Sequence, residues 1–143
     1  MTEVWKDIKG YEGLYQVSST GRVRRLAGVV VREQHGKADA VQPIRERILK
    51  SAIRYDGYEL VTLCKDGKTK SFLVHKLVAN AFISNPNDYN VINHIDEDKT
   101  HNSVDNLEWC TSLYNNTYNN IEIRRQENKK KHWKLVNGRR YYY

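Results

Sequence analysis

The sequence predicts an α+β chain of short strands with few helices, and three observations carry that reading. Glycine-bearing turn pairs, Thr20-Gly21, Asp56-Gly57 and Asp66-Gly67, each separate runs of β-prone residues. One segment, His75–Phe82, changes period: Leu77, Val78, Ala81 and Phe82 fall at i, i+1, i+4 and i+5, one face of a short helix. The last apolar runs, Val91-Ile92 and Leu107–Cys110, have strand length, and a polar loop joins them.

Taken in order, Tyr15–Ser19 and Arg22–Leu26 read as two strands about the Thr20-Gly21 turn, a small N-terminal β unit. Residues 27–46 have weak periodicity and read as a loop or an extended arm. Ile48–Ile53, Tyr58–Cys64 and Thr69–Val74 follow as a three-strand meander with Asp-Gly at both turns. The helix over His75–Phe82 is stopped by Asn85-Pro86-Asn87. After the Val91 and Leu107 strands, Thr111-Ser112 gives an N-cap signal for a helix through Tyr114, Asn115 and Tyr118. Trp133–Val136 and Arg140–Tyr143 flank Asn137-Gly138 as a last hairpin. The order is strands, helix, then strand–loop–strand–helix.

At 143 residues the chain has the size of one ordinary domain. Its net charge of +7 points to a polyanionic partner, of which nucleic acid is the common one. The charge is uneven. Residues 21–54 hold nine Lys/Arg against three Asp/Glu, residues 83–108 one against six, and residues 121–143 eight against two. Two basic flanks around an acidic centre are not a uniform solubility surface; ten tyrosines add flat groups suited to polar ligands. The two cysteines, Cys64 and Cys110, form no CxxC pair and read as small core residues, so no structural zinc is expected. No apolar run begins or spans the chain, which excludes a secretory signal and a membrane helix from this reading.

The stretch V-I-N-H-I-D-E-D-K-T-H-N-S-V-D-N-L-E-W-C-T sets a histidine between an asparagine and an acidic loop, and more asparagines follow before the next helix. Buried amides and imidazoles without partners cost about 1–3 kcal/mol each, so such groups are either solvated or functional. With L-V-H-K-L-V-A-N-A-F and N-P before it, this wording resembles the ββα-metal (His-Me finger) motif of the HNH nucleases, in the branch found in phage group I intron homing endonucleases. The N-terminal V-W-K-D-I-K-G-Y-E-G-L-Y-Q-V-S-S-T-G-R-V-R resembles the small NUMOD4 domain that often precedes HNH modules in that branch. The implied division is a DNA-contacting β unit and arm over 1–46, an HNH module over 47–120 and a basic segment over 121–143.

The resemblance implies metal-dependent hydrolysis of DNA phosphodiester bonds with one divalent cation, Mg2+ or Mn2+, and no small-molecule cofactor. His94 matches the family's general base, Asn93 and Asn115 its metal ligands, and Asn106 the middle asparagine that ties the hairpin loop together and helps to orient the histidine. The residue types suit those roles. Histidine titrates near neutral pH, and amide oxygens are hard donors. Many relatives carry aspartate where this chain has Asn93, so two neutral amides leave the negative charge to the DNA phosphate. Asp96 and Asp98 read as solvated loop acids, and His75 as a packing or capping residue. Phosphate contacts are expected from three basic runs: Arg22, Arg24 and Arg25; Arg45, Arg47, Lys50 and Arg54; Arg124, Arg125, Lys129, Lys130 and Lys131.

The partner implied is double-stranded DNA, met by a monomer in the cytoplasm of a bacterial host and encoded by a phage or prophage. The chain ends before the helix-turn-helix domain that intron-type relatives often add, so relaxed site specificity is expected. Two other readings stay open: a catalytically weak or inactive DNA-binding module of the same fold, and an RNA-binding or structural phage protein that stacks bases on its tyrosines. Asn93, His94, Asn106 and Asn115 together at the family's spacing favour the nuclease.

Overall fold

The structure, a computed structural model, describes residues 2–119, 133–136 and 139–142. Strands β1 (Trp5–Asp7), β2 (Tyr15–Ser18) and β3 (Val23–Arg25) form an antiparallel sheet in which β2 and β3 turn at Thr20-Gly21, where Gly21 takes φ 92°. Residues 27–46 differ from the loop or arm that the sequence suggests. They form a hairpin of β4 (Gly28–Arg32) and β5 (Ala40–Ile44), in register from Gly28↔Ile44 to Arg32↔Ala40. Val29, Val31 and Val41 on this ribbon are all exposed. With neither face buried, no hydrophobic alternation announces the strands.

Strand β6 (Arg47–Ile48) then joins the first sheet, with Arg24 opposite Ile48 and Arg25 opposite Arg47. The first strand expected of the meander is therefore divided. Ile48 pairs with β3, and only β7 (Ala52–Ile53) pairs with β8 (Glu59–Lys65), which pairs in turn with β9 (Lys68–Leu73). The turn between β8 and β9 has Asp66 at φ 53° and Gly67 at φ 73°, the doubly positive geometry of a two-residue hairpin loop. Alternation along β8 buries Val61 and Leu63 and leaves Cys64 exposed. The expectation that both cysteines are core residues thus holds for Cys110 alone.

Helix α1 (Val74–Phe82) leaves β9 directly. It buries Val74, His75, Leu77, Val78 and Ala79, while Ala81 and Phe82 are half-buried. Its apolar stripe thus starts one turn earlier than the sequence face Leu77–Phe82. Asn85 stops the chain beyond it by pinning Tyr89 through both amide atoms, Nδ2 to O at 2.8 Å and Oδ1 from N at 2.9 Å. Strands β10 (Val91–His94) and β11 (Leu107–Cys110) pair antiparallel, and helix α2 (Ser112–Asn119) follows. Strands β12 (Trp133–Val136) and β13 (Arg139–Tyr142) pair antiparallel, and the Asn137-Gly138 turn expected between them lies outside the described residues.

One core joins the first sheet, β8, α1 and the β10–β11 hairpin. Ile8, Tyr15, Val17 and Val23 of the N-terminal unit lie in the same buried cluster as Val61 and Leu63 of β8, Val74, Leu77, Val78 and Ala79 of α1, and Ile92 and Leu107 of the last hairpin. The first sheet and this core both run across the 46/47 boundary. Each side chain fully buried there contributes about 1.5–3 kcal/mol, which ties the N-terminal unit to the β10–β11 hairpin as one folding body.

Candidate active site

Asn93 and His94 close β10, opposite Glu108 and Leu107 of β11. Both are buried, at 1% and 5% exposure. Asn93 Nδ2 donates to Glu108 Oε1 at 3.0 Å across the strand pair, which fixes the amide and leaves Asn93 Oδ1 buried without a partner among the described residues. On the first turn of α2, Asn115 is held by its backbone N–H to Thr111 O at 3.0 Å, and Thr111 Oγ1 accepts from Tyr114 N at 3.1 Å as the N-cap. Asn93, His94 and Asn115 line one open cleft of about 330 Å³ together with Tyr58, Ile92, Glu97 and Lys99.

The His94 ring meets the Asn102 amide, Nε2 to Oδ1 at 2.8 Å. It stands edge-on to the ring of His75, with centroids 5.1 Å apart, and 6.0 Å from Tyr58. Burial holds the His94 pKa below its ordinary value, against the Asn102 hydrogen bond and the charges of Asp96 and Asp98, which act to raise it. His75 is pushed down to about 4, first by burial and then by His94, and its Nδ1 has no partner among the described residues. It packs beside His94.

Asn106 stands outside the cleft and knits the loop above it. Its Oδ1 accepts from Asp96 N at 3.1 Å, and its Nδ2 donates to Asp96 Oδ1 at 2.9 Å and His101 O at 2.8 Å. Asp96 and Asp98 are not merely solvated. Asp96 pairs with His101 at 2.5 Å and accepts from Asp98 N, while Asp98 accepts from both the backbone and hydroxyl of Thr100. The His101 bond, first among several, pushes the Asp96 pKa down to about 2, and the same bond raises His101.

The basic residues fall into groups. Arg22 and Arg24 share a face, both over the Trp5 ring, but Arg22 is paired with Glu3 at 2.6 Å and Arg24 with Glu46 at 3.3 Å. Arg25 lies over Tyr15, and Arg54 is bound by Asp56 at 2.5 Å. Arg45, Arg47 and Lys50 are exposed and form no ion pair among the described residues. Arg124, Arg125, Lys129, Lys130 and Lys131 lie outside the described residues. Sequence reasoning missed Tyr58, Glu59, Lys99, Asn102 and Glu108 at or behind the cleft. Lys99 alone carried a signal, as the one basic residue in an acidic stretch.

A family model described as the NUMOD4 motif matches residues 3–64. The chain is 41% identical over 111 residues to DNA endonuclease I-HmuI of Bacillus phage SP01, an alignment covering 78% of this chain and 54% of that protein. It is 45% identical over 69 residues to an uncharacterised HNH endonuclease of Acanthamoeba polyphaga mimivirus, covering 48% of this chain and 21% of the relative. Its fold is similar to the solved structure of the HNH homing endonuclease I-HmuI, a protein that binds and cleaves DNA, with TM-score 0.63 and 34% identity over 98% of this chain and 77% of that one. The chain spans about half the length of the phage relative.

Proposed function

The chain belongs to the HNH endonuclease family, and from that premise we propose that it is a metal-dependent DNA endonuclease, phage-encoded and of the homing type, acting as a monomer on double-stranded DNA in the cytoplasm of a bacterial host. The observation that carries the reading is the convergence of Asn93, His94 and Asn115 on one cleft, with Asn93 Oδ1 buried and unpartnered among the described residues. An amide oxygen in that state costs about 1–3 kcal/mol, which a bound cation offsets. The donors fit such an ion. Glu108 turns the Asn93 oxygen away from itself by taking the amide N–H, and hard amide oxygens suit Mg2+ or Mn2+. Among the described residues, no three His, Cys, Asp or Glu side chains gather as an alternative metal site.

Asn93 and Asn115 are thus the residues that would hold one divalent ion, and His94 is the general base. Bound there, the ion supplies Lewis-acid stabilisation of charge on the phosphate and the leaving oxygen. His94, kept neutral by burial, takes a proton from the attacking water. Asn106 keeps the loop above the base in one arrangement through its three amide hydrogen bonds. Residues 1–46 and the basic segment 121–143 contribute DNA contacts on either side of the 47–120 module. Of the described basic residues, the exposed Arg45, Arg47 and Lys50, which form no ion pair among the described residues, are the best placed to meet phosphates; Arg22, Arg24, Arg25 and Arg54 must first exchange their present partners.

The test is incubation of supercoiled plasmid with Mg2+ or Mn2+, with and without chelator. Nicked or linear product that the chelator abolishes supports the nuclease. Retained duplex binding with no cleavage of plasmid or of a phage DNA library would support the inactive module of the same fold.

A further inference from the structure

We propose that Asn102 is a positioning residue that fixes the His94 tautomer, and that the N-terminal β unit holds Asn102 in place to do so. The inference rests on the reading of His94 as the base. Asn102 is buried, at 2% exposure. Its Nδ2 donates to Glu59 Oε2 at 3.1 Å, and its Oδ1 faces His94 Nε2 at 2.8 Å. Turning the amide over would set its oxygen against a carboxylate, two acceptors face to face, so Glu59 determines which end His94 meets. An amide oxygen can only accept. His94 Nε2 therefore carries the ring proton, and Nδ1 keeps the lone pair that a base needs.

The seat of Asn102 comes from the far end of the chain. A Cβ on Gly21 would lie 2.8 Å from Asn102 O and 3.0 Å from its Cβ, so only glycine admits this approach, and Gly21 already holds φ 92°. Beside it, Ser19 O accepts from Val104 N at 2.9 Å and Ser103 Oγ at 3.4 Å. The β2–β3 turn thus grips residues 102–104 on one side while Glu59 of β8 takes the amide on the other. The N-terminal unit is in this way a buttress of the candidate active site as well as a place for DNA contacts.

The test is ring-nitrogen NMR of His94 in the metal-free full chain at neutral pH, with steady-state cleavage alongside. The wild type should show a protonated Nε2 and an unprotonated Nδ1. Asn102→Ala should lose that single tautomer and lower kcat by roughly 10–100-fold, the range for partners that orient an active group, with KM for duplex changed less than about twofold. Glu59→Gln offers Asn102 either an acceptor or a donor, so it no longer excludes the turned amide and should loosen the single tautomer, though less than the alanine variants do. Glu59→Ala should behave like Asn102→Ala, and serves in its place if that variant does not fold. A wild type protonated at Nδ1, or His94 signals unchanged in both alanine variants, would overturn the proposal. Full cleavage by His94→Ala would remove the base assignment alone, since the NMR signals still decide what Asn102 does.

Discussion

Burial sets the chemistry of the two adjacent histidines. His75 is neutral because desolvation, with His94 and Lys76 adding to it, pushes its pKa from 6.5 down to about 4. The unfolded chain takes up that proton near 6.5 and the folded chain resists until about 4, so stability is full above 6.5 and is lost as pH falls toward 4. The loss is of order 3 kcal/mol, and urea titrations across that range measure it. His75→Gln should flatten much of the slope, His94 carrying the remainder in the same direction. A wild-type curve flat from pH 7 to 4 would contradict the burial of both rings. Asp96 works in another window. Its pKa is depressed from 3.8 to about 2, first by His101, so its contribution is present above 3.8 and goes as pH falls through about 2. That pair is exposed and adds little to stability.

The hairpin from β10 to β11 is governed by its loop, and here single residues act through several bonds at once. Asn106→Ala removes three hydrogen bonds from a buried position and should cost roughly 1–3 kcal/mol in chemical denaturation, with faster amide exchange at Asp96, whose N–H then has no acceptor. Gly21→Ala should cost a similar amount, about 1–3 kcal/mol, and slow cleavage while duplex affinity is kept, because its Cβ meets the Asn102 carbonyl at 2.8 Å. Gly13→Ala is the comparison: φ is also positive, at 75°, but no atom of the described residues would lie within 4 Å of the added Cβ, so it should be milder in both measurements. What sequence could and could not reveal divides along the same line. The Asp66-Gly67 turn, the α1 stripe and the Thr111 cap depend on neighbours within a few residues, and each was legible. The β4–β5 hairpin was not, since its exposed valines give no alternation. Nor was the two-residue strand β6, whose partner β3 lies some twenty residues back. In the candidate site, the wording of the sequence pointed to Asn93, His94 and Asn115, which the fold brings to one cleft. Asn102 could not be told from a solvated loop amide, because Glu59 and Gly21, which give it its place, are remote in sequence.

At the scale of the molecule, one core serves a protein with basic flanks and an acidic centre. A net charge of +7 and exposed Arg45, Arg47 and Lys50 predict duplex binding that weakens steeply with salt. Replacing any one of these three with alanine should weaken binding alike on unrelated sequences and reduce the logarithmic salt slope by about one, as read from fluorescence anisotropy between 50 and 200 mM salt. An unchanged slope in all three would place the phosphate contacts elsewhere. On the proposed function, chemistry resides where β10 and α2 meet. Cleavage of supercoiled plasmid by wild type and His94→Ala, side by side in Mg2+ and Mn2+ at equal duplex occupancy, tests it most directly. Nicked or linear product is expected from the wild type alone; equal cleavage by the two proteins would place the chemistry elsewhere.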